Sequence, residues 1–204
     1  MGFGYLVLGF LIWLNPVYSG FTEWLAYTLI LSGASKLSPY GRGYKYTAYA
    51  GVPGLVLAFA NFIFCGVDLL GFTEYQGTTL YNCIMLALML CAIATRLLVL
   101  WGTFEITTET GLDNQKFRAV YCMLLYSLAF VFDFLQSVRL IPATSTGYAI
   151  LVFAQLIIGG MAFFLHFACL RMITLGDEEL PPQNEDKIKN WWQKIKDYSD
   201  DNTK

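Results

Sequence analysis

The stretch YSLAFVFDFLQSVRLIP, residues 126–142, sets Asp133 between Phe132 and Phe134, with Gln136 and Arg139 following at three-residue intervals. On a helix this spacing puts all three on one face. A carboxylate in an apolar run either does chemistry, as a proton carrier or cation ligand, or joins helices by pairing with a neighbour. Arg139, one to two turns away, is its nearest cation along the chain. Other polar side chains interrupt neighbouring apolar runs: Asn61, Asp68, Asn82 and Gln155. With Asp133 as the reactive group, Asn82, Gln136 and Gln155 are candidate orienting groups. Arg96 and His166 form a second pair of interest. Arg96 either reaches the nearer interface along its own stem or meets Glu105. His166 is the only histidine, and a lone His on an apolar helix is by default a hydrogen-bonded packing residue.

These residues need apolar elements to hold them. The 204-residue chain is 56% hydrophobic and only 14% charged, against about 25% charged in an ordinary soluble domain. Eight of the 15 acidic residues fall after position 175, which leaves a very apolar body. That body divides into six segments, at about 3–14, 23–37, 47–71, 78–102, 118–141 and 146–174. The first two are short for a bilayer crossing, which takes about 20 residues. Gly51, Pro53 and Gly54 predict a kink or a delayed start in the third, and Pro142 ends the fifth. The runs lack the polar faces of a soluble bundle. The fold class expected is all-α: a polytopic membrane protein with about six transmembrane helices, the first two short, plus a C-terminal amphipathic cytoplasmic helix. The transmembrane domain is expected over 1–175 and the tail over 176–204. The first segment has no basic n-region and reads as a retained membrane segment rather than a signal peptide.

Twelve of the 13 Lys and Arg residues then fall on one side of the membrane, Arg139 being the exception. The positive-inside rule makes both termini cytoplasmic. Counting depth along each segment gathers Asp68, Asn82, Asp133, Gln136, Arg139 and Gln155 in the outer half, with Asn61 near mid-depth. Arg96 and His166 fall towards the inner side. A lipid-facing charge costs at least about 2.5–3.5 kcal/mol, so several polar groups at similar depth imply a shared polar interior or a cavity open to the outside.

In the tail, Ile188, Trp191, Trp192 and Ile195 recur at helical spacing, bordered by Lys187, Lys189, Lys194 and Lys196. This describes a short helix lying in the membrane interface. The five cysteines lie inside apolar runs without a CxxC pair and behave as small hydrophobes. One His and scattered Cys give no zinc spacing, and no cofactor or metal is implied. No HExxH, GxSxG or glycine-rich phosphate loop occurs. CGVD, 65–68, keeps one glycine of the GxGD element of intramembrane aspartyl proteases but precedes the other aspartate. A basic stripe with interleaved aromatics, which nucleic acid would need, is missing outside the tail.

The opening GYLVLGFLIWLNP, followed by LAYTLILSGASKLS, resembles the start of an uncharacterised group of small bacterial multi-pass membrane proteins. The likeness covers roughly the first 38 residues and rests on Gly4, Gly9, Asn15, Pro16, Gly33 and Leu37. Of the acidic residue and Pro common before the second helix in that group, only Glu23 remains. The resemblance implies a bacterial cytoplasmic membrane and brings no activity or site residues.

The sequence therefore points to a small transporter, channel or transporter subunit with an outward-facing polar site around Asp133. The alternative is a non-catalytic membrane subunit or scaffold whose polar residues only join helices, and an intramembrane enzyme stands third. The lipid bilayer is the implied partner. So little soluble mass is compatible with a homo-oligomer or a membrane-protein partner, while the identity of any small-molecule or ion ligand is not encoded in a motif.

Overall fold

A computed structural model describes residues 2–14, 19–71, 78–137 and 145–173. Six helices follow in order: α1 (Gly2–Trp13), α2 (Ser19–Leu37), α3 (Arg42–Leu69), α4 (Thr79–Glu109), α5 (Asp113–Ser137) and α6 (Ser145–Met172), with no strand among the described residues. Each helix packs on the next, and α6 closes onto α1, so the six form a ring. Neighbours run antiparallel. Gly2 meets Leu37 while Gly9 meets Ile30, and Phe64 of α3 packs edge-on against Tyr81 of α4. The end where α1 begins and α6 finishes is called basal below, and the opposite end distal.

Four helices, α3 to α6, are long and apolar enough to cross a membrane. At about 1.5 Å per residue, the 12 residues of α1 rise only about 18 Å. The outer faces agree with a bilayer setting. On α3, Val52, Val56, Phe59 and Ile63 are exposed, and on α6 Ile150, Phe153, Ile157 and Phe164 are. These recur at intervals of three, four and seven, so each helix turns an apolar stripe outward as well as inward. Water would leave those stripes unsatisfied, whereas lipid covers them.

Several helix boundaries differ from the sequence expectation. α3 starts at Arg42 rather than near 47 and runs through Pro53 without a break. Its start is secured from outside, because the Gly43 N–H donates to Glu105 Oε2 at 3.0 Å. An acceptor with negative charge suits the N–H groups of a helix start. Gly51 and Gly54 do not delay the helix. They let α2 approach, since a Cβ at Gly51 would meet Leu31 and one at Gly54 the Tyr27 ring. α4 continues to Glu109, seven residues beyond the expected 102. α5 starts at Asp113, five residues before the expected 118. Gly71 and Gly111, both at positive φ, follow the ends of α3 and α4, the conformation that closes a helix most cheaply when no Cβ is present.

Candidate functional site

The site is built around Arg96, the eighteenth of 31 residues in α4. Its guanidinium lies 4.6 Å from the centre of the Trp13 ring and 5.3 Å from that of Tyr126. It is thus held between the last turn of α1 and the middle of α5. Cation–π contact of this kind steadies a guanidinium that is partly desolvated. The charge of Arg96 also reaches two carboxylates on opposite sides of the ring, Glu23 on α2 and Asp133 on α5. Asp133 is hydrogen-bonded to the side chain of Gln155 on α6. Five helices therefore contribute to one polar cluster.

Its walls are aromatic. Trp13 packs edge-on against Tyr27 at 5.2 Å between centroids, and Tyr27 belongs to the buried core with Ala58, Leu88 and Ala92. Two buried donors of the cluster, Arg96 Nε and Trp13 Nε1, have no hydrogen-bond partner. A cavity of about 40 Å³, lined by Trp13, Arg96, Tyr126, Gln155 and Gly159 among others, adjoins them. A few water molecules fit in that space, and water is the ordinary partner of such orphaned donors.

The depth of the cluster follows from α1. Leu14, just past its end, seats against Gly159, the fifteenth of 28 residues in α6. α1 thus stops at mid-bundle, and the distal halves of α5 and α6, which carry Asp133 and Gln155, run on past it.

Not all predicted residues converge here. Asp133 and Gln155 do. Arg96, expected on the inner side, belongs with them instead of with Glu105, which is committed to Gly43. Gln136 lines a separate apolar groove between α5 and α6 with Phe132 and Ile150. Asn61 is buried on α3, where its Oδ1 accepts from Cys65 Sγ at 3.7 Å. Asp68 lies at the distal end of α3, within electrostatic reach of Cys65 and Tyr81. Asn82 is exposed in the first turn of α4. Arg139 and the tail residues Ile188, Trp191, Trp192 and Ile195 lie outside the described residues. Among the described residues no group of three His, Cys, Asp or Glu side chains is placed to hold a metal ion.

Glu23 was the residue that sequence reasoning missed. It stood at the expected start of the second segment and was not counted among the polar candidates. α2 in fact begins at Ser19, which carries Glu23 one turn inside. A carboxylate at the edge of an apolar run, one turn before a buried Tyr27, was the available signal.

His166 sits apart, in the basal half. It is fully buried and stacked on Phe10 at 4.6 Å. Its Nδ1 donates to the Ala162 carbonyl at 2.6 Å, which leaves Nε2 to face Thr103 Oγ1 at 3.2 Å. Thr103 Oγ1 in turn pairs with the Tyr44 hydroxyl at 2.8 Å and donates to the Val99 carbonyl at 2.9 Å. Each polar atom of this trio lies within hydrogen-bond distance of another, the single Thr103 hydroxyl proton being shared between the Val99 carbonyl and His166 Nε2.

No protein-family model matches the chain, and neither does any curated protein or solved structure.

Proposed function

We propose that this chain is a small multi-pass protein of the bacterial cytoplasmic membrane, with both termini cytoplasmic, and that the Glu23–Arg96–Asp133 cluster carries a proton or a monovalent cation as part of transport. One observation supports this above the rest. Two carboxylates on different helices are set around a single arginine. With all three ionised the cluster holds one net negative charge, which one proton or one monovalent cation neutralises. Membrane-embedded acids are costly to keep and mark ion and proton pathways in many membrane proteins. The positive-inside count supports a distal end, with Asp133 and Gln155, that faces outward.

A second reading has its own support. The cavity at Arg96 has room for only a few waters, as expected of a scaffold or non-catalytic subunit in which the cluster just joins α2, α4, α5 and α6. Replacing Asp133 by Asn and by Leu separates the two. The variants are purified, checked for folding in detergent, and reconstituted in vesicles carrying a pH-sensitive dye under an imposed proton or sodium gradient. On the transport reading, wild type dissipates the gradient and Asp133→Asn folds but does not. If wild type leaves both gradients intact, or if Asp133→Asn conducts like wild type, the transport reading fails. Loss of folding in Asp133→Leu alone, with Asp133→Asn behaving as wild type, is the signature of the scaffold.

A further inference from the structure

The seam between α5 and α6 carries two grooves of different character. The distal one, of about 410 Å³, is lined by Leu128, Phe132, Gln136 and Ile150 among others, with no charged side chain. The basal one, of about 710 Å³, is bounded by Arg118 and Arg171 and floored by Cys122, with Met161, Phe164 and Phe167 along its length. The two arginines come from different helices, yet both are exposed and border the same groove. The apolar residues beyond them are far from covered: Phe164 is 65% exposed and Phe167 41%.

The dimensions are those of one leaflet. From Arg171 to Met161 is ten residues of continuous α6, about 15 Å at 1.5 Å per residue. A hydrocarbon core of about 30 Å gives each leaflet the same depth. The groove therefore has two cations where headgroups lie and an apolar trough as long as an acyl chain. A partner helix would have to bring two acids to that height, whereas an anionic lipid carries its charge there already. We infer that the basal α5–α6 groove holds an anionic phospholipid, its phosphate between Arg118 and Arg171 and one acyl chain along Phe167, Phe164 and Met161. The guanidinium forks suit phosphate oxygens in paired hydrogen bonds.

The full chain in detergent micelles, titrated with phosphatidylglycerol or phosphatidylcholine and weighed by native mass spectrometry, tests this. Two basic groups near a headgroup correspond to about a 10–30-fold preference for the anionic lipid. Arg118→Gln/Arg171→Gln brings that preference to about one, and Ala168→Trp, which fills the trough, lowers retention of both lipids. Inorganic phosphate at the same concentration displaces neither. Equal retention of the two lipids by wild type overturns the proposal. So does a preference that survives in the double variant, which would assign it to the tail lysines, and so does displacement by inorganic phosphate, which would make the site one for the free anion. If the double variant does not fold, Ala168→Trp decides: unchanged retention of phosphatidylglycerol sinks the idea.

Discussion

Two polar groups inside this bundle differ in how completely they are paired. In the basal half, Tyr44, Thr103 and His166 close on one another and on two backbone carbonyls. In the middle, Arg96 has aromatic faces and two acids within reach, but its Nε and the Trp13 Nε1 have no hydrogen-bond partner. Hydrogen bonds between transmembrane helices average only about 0.6 kcal/mol, so closed pairing of the first kind contributes mainly to a unique packing. Open pairing of the second kind leaves donors that water or a ligand can use. A buried polar network rigidifies a fold when every member is paired, and each unpaired member is costly. On the proposed reading the trio is the structural pole of the molecule and the arginine cluster the functional one.

The largest test of that contrast removes the cation. Arg96→Met leaves Glu23 and Asp133 without their shared counter-charge. Removing one partner of a buried pair costs about 3–5 kcal/mol, and partial exposure of Arg96 sets the expectation at the low end, about 3 kcal/mol. Unfolding in a denaturant series in micelles reads it. The triple variant Glu23→Gln/Arg96→Met/Asp133→Asn, with no charge left to strand, recovers most of the loss. Equal destabilisation in the single and triple variants would show that the arginine acts through packing on Trp13 and Tyr126 and would break the electrostatic half of the comparison.

Much of this was legible beforehand and some was not, for reasons that lie in particular residues. Apolar runs and basic residues sufficed for a helical membrane protein, because the bilayer forces backbone groups to pair within each helix. Asp133 and Gln155 stood out as polar groups at similar depth. The grouping of Arg96 with His166 rather than with Asp133 came from one helix end. Counted along 78–102 it lies low in the segment, but α4 runs on to Glu109, with the hydroxyls of Thr103, Thr107 and Thr108 satisfied on backbone carbonyls within the helix. That extension moves Arg96 to mid-helix. Glu23 was hidden by an opposite mistake, a helix begun four residues late. Nor does periodicity say that α6 closes onto α1, a contact made by shape, with Leu14 against Gly159 and Phe10 on His166.

Close approach of helices provides a second, smaller test. A Cβ on Gly43 would run into the backbone of Gly102 and the carbonyl of Leu98, whereas one on Gly160 would meet nothing within 4 Å. Backbone cannot yield as a flexible side chain does. Gly43→Ala therefore costs about 2 kcal/mol, within the range for overpacking. Gly160→Ala is neutral or stabilises by up to about 1 kcal/mol through helix propensity. Thermal unfolding of the two variants in one detergent compares them directly. A neutral Gly43→Ala would mean that α3 and α4 slide apart easily, and the basal half would lose its claim to be the rigid one.

The smallest effect belongs to the closed network. Thr103→Val keeps the shape of the side chain but removes the oxygen that Tyr44 and His166 share, so the Tyr44 hydroxyl and His166 Nε2 lose a common partner in a dry interior. His166→Leu removes only the last link, since Tyr44 still meets Thr103 and Thr103 still meets Val99. On membrane scales of about 0.6–1.7 kcal/mol per hydrogen bond, Thr103→Val is expected to cost about 1–2 kcal/mol and His166→Leu less than that. Gradient dissipation in vesicles, measured beside unfolding, makes the pair decisive. Both variants should lose stability and keep whatever flux the wild type shows, because the trio is closed and lies away from Arg96. If His166→Leu abolished flux while folding normally, the closed network would be part of the pathway, and the division of labour between the two polar groups would be wrong.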